Sequence, residues 1–345
     1  MSSSSASRRC ALIGFGQVAE KAHLPAFAEN GVQVVAFCEA NEQRQTAARK
    51  ALPEARPFLS VDDMLDAELE LDFVDIATPP FLHAAQALAA LKRGRHVLCE
   101  KPLALAREDL AALRRSAMMA GRAVFTVHNW AYSPQWIKIL ELAPLLGELR
   151  HAELHVVRTQ PAAGANTDDW RRQAAQAGGG ILVDHGWHGL YLLHRLIGAQ
   201  PERMVARLRP QTGAIDEEAS VFFEFPRATA LLHLSWRSEI RRNTALVVGA
   251  KGILELQDDE IFIRTSAGVR RFPFEKPLSA GSSHPSWFST MLPDFFAEMT
   301  DAAKRGRNLE EASFCVSMIS RAYQAARLGR NPLRATLSPH ARASP

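Results

Sequence analysis

Six residues near the start of the chain, Gly14-Phe15-Gly16-Gln17-Val18-Ala19, restrict what it can fold into more than any other segment. They form a GxGxxA run between a short apolar stretch, Cys10 to Ile13, and a helix-compatible stretch, Gln17 to Asn30, that stops at Gly31. In a strand, turn and helix, the glycines let the backbone approach a pyrophosphate and the amides that open the helix face it. Alone, the run would serve equally well as a tight turn that binds nothing. Glu39 adds a second mark. It follows the β-branched run Val32 to Cys38, roughly 20 residues on, where a carboxylate accepts from both ribose hydroxyls and repels a 2′-phosphate. Together these residues predict dinucleotide binding at Gly14, Phe15, Gly16, Gln17, Val18, Ala19 and Glu39, with NAD as cofactor and NADP left open by the nearby Arg44.

Strands and helices go on alternating. A helical stretch from Asn41 to Leu52 is followed by a strand, Phe73 to Ala77, closed by Thr78-Pro79-Pro80. Next come a helix from Leu82 to Arg93 with Gly94 past its end, a strand from His96 to Cys99, a helix from Arg107 to Ala120 and a strand from Ala123 to Val127. This order implies right-handed crossovers and a parallel sheet covered on both faces, a doubly wound Rossmann domain over 8–127. After His128 the pattern changes. Leu149–Arg158, Arg203–Leu208, Ala219–Phe225, Ala228–Arg237, Thr244–Val248, Gly252–Gln257 and Glu260–Arg264 read as strands, most without helices between them. Helices flank them at Ile181–Ile197, Trp287–Arg305 and Glu310–Leu328, which predicts an α+β domain with a large, mostly antiparallel sheet over 128–338. A length of 345 residues fits two such cores.

The balance of 41 Lys and Arg against 37 Asp and Glu is interleaved along the chain, so no nucleic-acid surface is expected. Cys10, Cys38, Cys99 and Cys315 have no metal-binding spacing, and the first three lie in apolar runs; a reducing, cytoplasmic setting follows. The Ser-rich, basic start from Met1 to Arg9 leads into too short an apolar run for a signal peptide, and no run suits a membrane span.

Several motifs then carry a family likeness. Gly14 to Ala19 with His23-Leu24-Pro25, Thr78-Pro79-Pro80 with His83, and Gly94 to Leu103 around Glu100-Lys101-Pro102 fall in the first domain. Trp170-Arg171, the run from Gly178 to His188, the Gly249 to Gly252 turn and Ala322-Tyr323 to Gly329-Arg330 fall in the second. Over nearly its whole length the chain resembles the glucose–fructose oxidoreductase, inositol dehydrogenase and rhizopine-catabolism (Gfo/Idh/MocA) family. The resemblance implies that Lys101, Asp184 and His188 line a reaction centre, and that Thr78, Pro79, His83, Glu100, Lys101 and Asn129 border the cofactor. It also implies a cis Lys101-Pro102 peptide and a homodimer or homotetramer packed through the second sheet. Pro80 and Asn129-Trp130 depart from the family's usual residues and bear on substrate contacts.

Chemistry supports the same residues. Oxidising a secondary alcohol needs a base at the hydroxyl, for which histidine is suited. Asp184 and His188 are four apart in a helical stretch, with Tyr191 and Arg195 continuing the stripe, so the carboxylate is expected to orient the imidazole. A lone histidine is more often structural; the pairing and the preceding glycines shift that balance. Lys101 follows a buried strand at the ligand-binding edge and can stabilise alkoxide charge, whereas most lysines in such a place are merely solvated. Trp170, Arg171 and His185 are candidate substrate contacts, Trp170-Arg171 against an ordinary stacked surface pair. His185, His188 and His194 with Asp184 lack a further ligand at fitting spacing, so no metal is expected. The expected activity is hydride transfer between nicotinamide and a secondary alcohol or ketone of a sugar, inositol or related polyol. A redox-neutral NAD-dependent glycosidase and a non-catalytic dinucleotide-binding regulator are the rivals.

Overall fold

The computed structural model describes residues 7–67, 70–159, 173–210 and 215–328. The first sheet consists of β1 (Arg8–Ile13), β2 (Val32–Cys38), β3 (Arg56–Phe58), β4 (Phe73–Ile76), β5 (His96–Cys99) and β6 (Val124–Thr126). All its pairs are parallel and the order is β3-β2-β1-β4-β5-β6. Residues Cys10 to Ile13 of β1 are buried on both faces, as the apolar run required of a central parallel strand. The strand order reverses between β1 and β4, which opens a crevice at their carboxyl ends.

The first helix runs from Gln17 to Glu29, and its middle, Ala19–His23, is a π turn. That interruption was not readable from the sequence, which showed only one helical stretch. The wider turn lies where His23 enters the core, fully buried.

The second sheet has eight strands: β7 (Leu149–Val157), β8 (Arg203–Arg209), β9 (Glu218–Glu224), β10 (Thr229–Ser235), β11 (Arg242–Gly249), β12 (Gly252–Gln257), β13 (Glu260–Thr265) and β14 (Gly268–Pro273). Their order is β14-β13-β12-β11-β7-β10-β9-β8, antiparallel throughout except for β7 beside β10. Strand β14 is absent from the sequence reading because it is an exposed edge, Gly-Val-Arg-Arg-Phe-Pro, without apolar alternation. Alternation is clear in β7, where Ala152, Leu154 and Val156 are buried and the residues between them half-buried. The buried face packs on helices Gly186–Ile197 and Arg307–Leu328.

Helix Pro285–Thr300 departs from expectation. The sequence grouped it with the second sheet, yet its Phe288, Met291, Leu292 and Phe295 join Phe27, Phe73 and Phe125 in a core against the first sheet. Phe295 meets Phe73 edge-on at 5.0 Å and Phe125 at 5.5 Å. An amphipathic pattern says that a helix buries a face, without saying against which sheet. The chain then stays with the first sheet: the Asn308 amide donates to Thr126 O and accepts from Thr126 N at the edge strand β6. Phe295→Ala is expected to lower the unfolding free energy by about 3–5 kcal/mol in a urea titration, the usual cost of emptying a buried aromatic site.

Candidate active site

The carboxyl ends of the parallel strands supply one wall. Gly14 follows β1 at φ 87°, and a Cβ there would lie 2.7 Å from Thr78 Cγ2 and 3.0 Å from Ala77 C, so only glycine lets the two strand ends approach. At Gly16 an added Cβ would meet only the Arg44 guanidinium, at 4.0 Å, which leaves open space beside the amides of the helix start. Those amides have no carbonyl to bond within the helix. An empty cradle with unpaired N–H groups and a nearby guanidinium fits a pyrophosphate. Phe15 and Ala19 are buried, so their side chains serve packing.

Glu39 ends β2 as expected and also anchors the glycine turn. Its Oε2 accepts from Phe15 N at 2.7 Å and its Oε1 from Asn41 N at 2.8 Å. The Asn129 amide oxygen, just after β6, is buried without a partner. It offers a polar contact to a group such as a carboxamide.

His83 is fully buried between Thr78 O at 2.7 Å and Pro102 O at 2.8 Å. Burial pushes its proton affinity down, and the neutral ring donates to one carbonyl at a time. His83 thus fixes the turn that carries Lys101, because both its ring nitrogens are engaged by the backbone. The Lys101-Pro102 peptide is cis.

Glu100 and Lys101 diverge from that turn. Glu100 Oε1 meets His23 Nε2 at 3.1 Å, while His23 Nδ1 meets Asp75 Oδ2 at 2.7 Å. Burial works against the charged imidazole, but the Asp75 and Glu100 carboxylates outweigh it and push His23 up to about 10. The result is an imidazolium held between two carboxylates and stacked on Phe288 at 4.1 Å. In the sequence His23 stands out only within the His23-Leu24-Pro25 motif. Its partners are 52 and 77 residues away, which no local pattern shows.

Lys101 Nζ donates to Asp184 Oδ1 at 2.5 Å and to Asp184 O at 3.1 Å, which leaves the third ammonium hydrogen available. Asp184 Oδ2 lies 3.1 Å from His185 Nδ1. Reduced hydration opposes ionisation of Asp184, but the charges of Lys101 and His185 hold its carboxyl well below the usual range. His185 Nδ1 also lies 3.3 Å from the Trp236 indole N–H, so its single lone pair or proton serves one neighbour at a time.

The expected Asp184–His188 pair does not form. The helix breaks at His185, between Ile181–Asp184 and Gly186–Ile197, so the four-residue spacing no longer places the two on one face. The carboxylate turns to Lys101 and His185. His188 Nδ1 instead meets the buried Tyr191 hydroxyl at 2.8 Å, and that oxygen accepts from Trp130 N at 3.1 Å. The hydroxyl hydrogen has His188 Nδ1 as its acceptor, which places the imidazole proton on Nε2. Burial, with Lys101 and His185 close by, pushes His188 well below its ordinary range, so the ring is neutral. It stacks on Trp130 at 4.5 Å and 7°.

Asp216, unnoticed in the sequence, sets the position of Asp184. Its carboxylate accepts from Gly180 N at 2.8 Å and Leu182 N at 2.9 Å, and Tyr323 OH donates to it. A Cβ on Gly180 would fall 1.9 Å from Asp216 O, so the glycine run permits this contact. Trp170 and Arg171 lie outside the described residues. No helix among the described residues is long and apolar enough to cross a membrane.

Comparisons with known proteins agree with this construction. Residues 8–128 match the oxidoreductase family with an NAD-binding Rossmann fold, and residues 143–255 match the GFO/IDH/MocA C-terminal domain. An uncharacterized oxidoreductase of Rhizobium meliloti is 31% identical over 71% of this chain and 73% of its own length. A putative UDP-kanosamine synthase oxidoreductase subunit of Amycolatopsis mediterranei is 28% identical over 92% of this chain and 96% of its own. Among solved structures, levoglucosan dehydrogenase in complex with NADH and levoglucosan superposes with a TM-score of 0.80 at 19% identity, covering 93% of this chain and 97% of that one. The chain belongs to the Gfo/Idh/MocA family of NAD-binding oxidoreductases.

The buried His23 site has a pH signature. A folded-state value raised from 6.5 to about 10 gives stability that is complete below pH 6.5 and is lost as pH rises through 10. Unfolding free energy measured by denaturant titration is expected to fall over that window, and His23→Asn should flatten the slope. Equal slopes in the two proteins would count against the charged-histidine assignment.

Proposed function

We propose that the protein transfers a hydride between NAD and a secondary alcohol or ketone of a sugar, inositol or related polyol. The observation that carries this is the ion pair of Lys101, from the carboxyl edge of the parallel sheet, with Asp184, beside a neutral His188 near enough to feel the lysine charge. NAD, when bound, supplies the hydride acceptor or donor. Gly14, Gly16, Gln17 and Val18 would hold its pyrophosphate, and Glu39 its adenosine ribose, with Thr78, Pro79 and Asn129 along the crevice.

The reacting oxygen fits between the free Lys101 ammonium hydrogen and His188 Nε2–H. Two donors at one oxygen polarise a carbonyl and stabilise alkoxide charge. Because burial keeps His188 neutral, it acts as a hydrogen-bond donor, and the proton moves at Lys101 Nζ, whose charge Asp184 balances. In the oxidising direction the same nitrogen must enter the step as the neutral amine, its extra proton already released to solvent; it then takes the alcohol proton and becomes the ammonium that Asp184 balances. Tyr191 holds the His188 tautomer. The uncovered face of the second sheet, with His155, Phe222, Leu231 and Ile253 part-exposed, supports packing against another copy as a homodimer or homotetramer.

NADH formation, followed by absorbance over a panel of sugars and inositols, tests the reading. On an oxidised substrate, Lys101→Met and His188→Asn are each expected to lower kcat by about 100-fold or more while NADH affinity changes little. Near-wild-type turnover in both variants would refute this centre. For the cofactor, fluorescence titration should give tighter NADH than NADPH binding, because Glu39 faces a 2′-phosphate with like charge. Glu39→Gln keeps an acceptor for Phe15 N and should narrow that preference; an unchanged ratio would remove Glu39 from cofactor selection.

A further inference from the structure

Arg158 lies beside the proposed reaction centre and has no part in the roles above. It follows β7, with only 4% of its surface exposed. Its Nη1 donates to Asn243 Oδ1 at 2.7 Å, Val157 O at 2.9 Å and Arg242 O at 3.4 Å. Its Nε is buried without a hydrogen-bond partner, and among the described residues no carboxylate lies within ion-pair distance of it. The guanidinium sits 5.5 Å over the Trp130 ring, whose face also stacks on His188.

A buried guanidinium is costly unless something answers its charge. The neighbouring carboxylates are already committed. Asp258 accepts from Asn243 N, Ser279 N and Ser279 Oγ, and Asp184 is taken by Lys101 and His185. A second cation, Arg241, acts on Arg158 from nearby and, among the described residues, also lacks an ion-pair partner. Its exposed guanidinium leans on Ser279 O at 3.2 Å and Gly281 O at 2.8 Å. His284, within reach of both charges, stacks on Trp287 at 3.5 Å and stays neutral. Tying strand ends together requires hydrogen-bond donors, which an uncharged amide could supply. The unpaired Nε edge is the one suited to a planar or tetrahedral anion.

We propose that the substrate is an anionic sugar derivative, whose carboxylate or phosphate is held by the Nε edge of Arg158 with Arg241 at the outer side of the cleft. This rests on the polyol-oxidoreductase reading and narrows it to sugar acids or sugar phosphates. The anionic group anchors the far end of the molecule, and the reacting carbon lies toward Lys101 and His188. The trapped positive charge then selects among polyols whose hydroxyl patterns are otherwise alike.

The test compares matched sets with NAD and the full chain: D-glucose, D-galactose and D-mannose, their hexuronates and their 6-phosphates. In at least one set an anionic member is expected to exceed its neutral parent in kcat/KM by about 10- to 100-fold, the usual effect of one charge-assisted hydrogen bond. Whether the uronate or the phosphate leads identifies the anion. Arg158→Met should collapse the ratio toward one, mainly through KM, and Arg158→Lys should keep part of it. Arg241→Gln, at an exposed position, should reduce the ratio even if the Arg158→Met protein does not fold. Neutral sugars oxidised as well as their anions, or a ratio that survives Arg158→Met, would overturn the proposal and leave the polyol reading standing. Binding of NADH with no member of any set oxidised would bring down the polyol reading itself, and this proposal with it.

Discussion

The contact between Lys101 and Asp184 joins the two halves of the site, and the rest of the architecture serves to make it possible. The lysine comes from the turn after β5 and the carboxylate from a short helix of the second unit. The pair does little to hold those halves together. With Asp184 44% exposed to the cleft, it belongs with ion pairs that contribute about 0–1 kcal/mol. A single fully buried phenylalanine contributes about 1.5–3 kcal/mol, and helix Pro285–Thr300 places several against the first sheet. Apolar packing therefore fixes the distance across the cleft, and the ion pair fixes the orientation of the groups that face it.

Charge is arranged in depth around that contact. Below Lys101, Glu100 is held by His23, which Asp75 holds in turn. Beside it, Asp184 answers Lys101. Beyond Trp130 stands Arg158, whose charge has no described protein counterpart. The first set places one imidazolium between two carboxylates, and the second pairs one cation with one carboxylate. The third has no ion-pair partner among the described residues, and an anionic substrate is what we propose to complete it. His188 shows the complementary use of burial: a dry site removes its charge and leaves a directed N–H.

The lone parallel pair of the second sheet repeats the logic of the first. Strands β7 and β10 run side by side, and their carboxyl ends carry Arg158 and Trp236 into the cleft. Residues of the candidate site thus gather at parallel strand ends in both sheets. Antiparallel β11 begins beside the end of β7, which brings Asn243 and Arg241 to the same place.

Local chemistry decided much in the sequence itself. The glycines at 14 and 16, the carboxylate of Glu39, the strand–helix alternation through Val127 and the shift to strand-rich chain afterwards all follow from backbone sterics and hydrophobic period, which act over a few residues. They settled the fold class and marked the dinucleotide turn, whereas Lys101, Asp184 and His188 were singled out by the family resemblance. Partners over long separations were decided only by tertiary structure. Spacing suggested that Asp184 would serve His188; a helix break at His185 gave it to Lys101 and gave His188 to Tyr191. The helix after residue 285 showed an apolar face in the sequence, and only packing chose the first sheet for it. His23, Asp216 and Arg158 looked like ordinary polar residues until folding buried them, because the cost of burying charge, and hence the demand for a partner, exists only once water has been excluded.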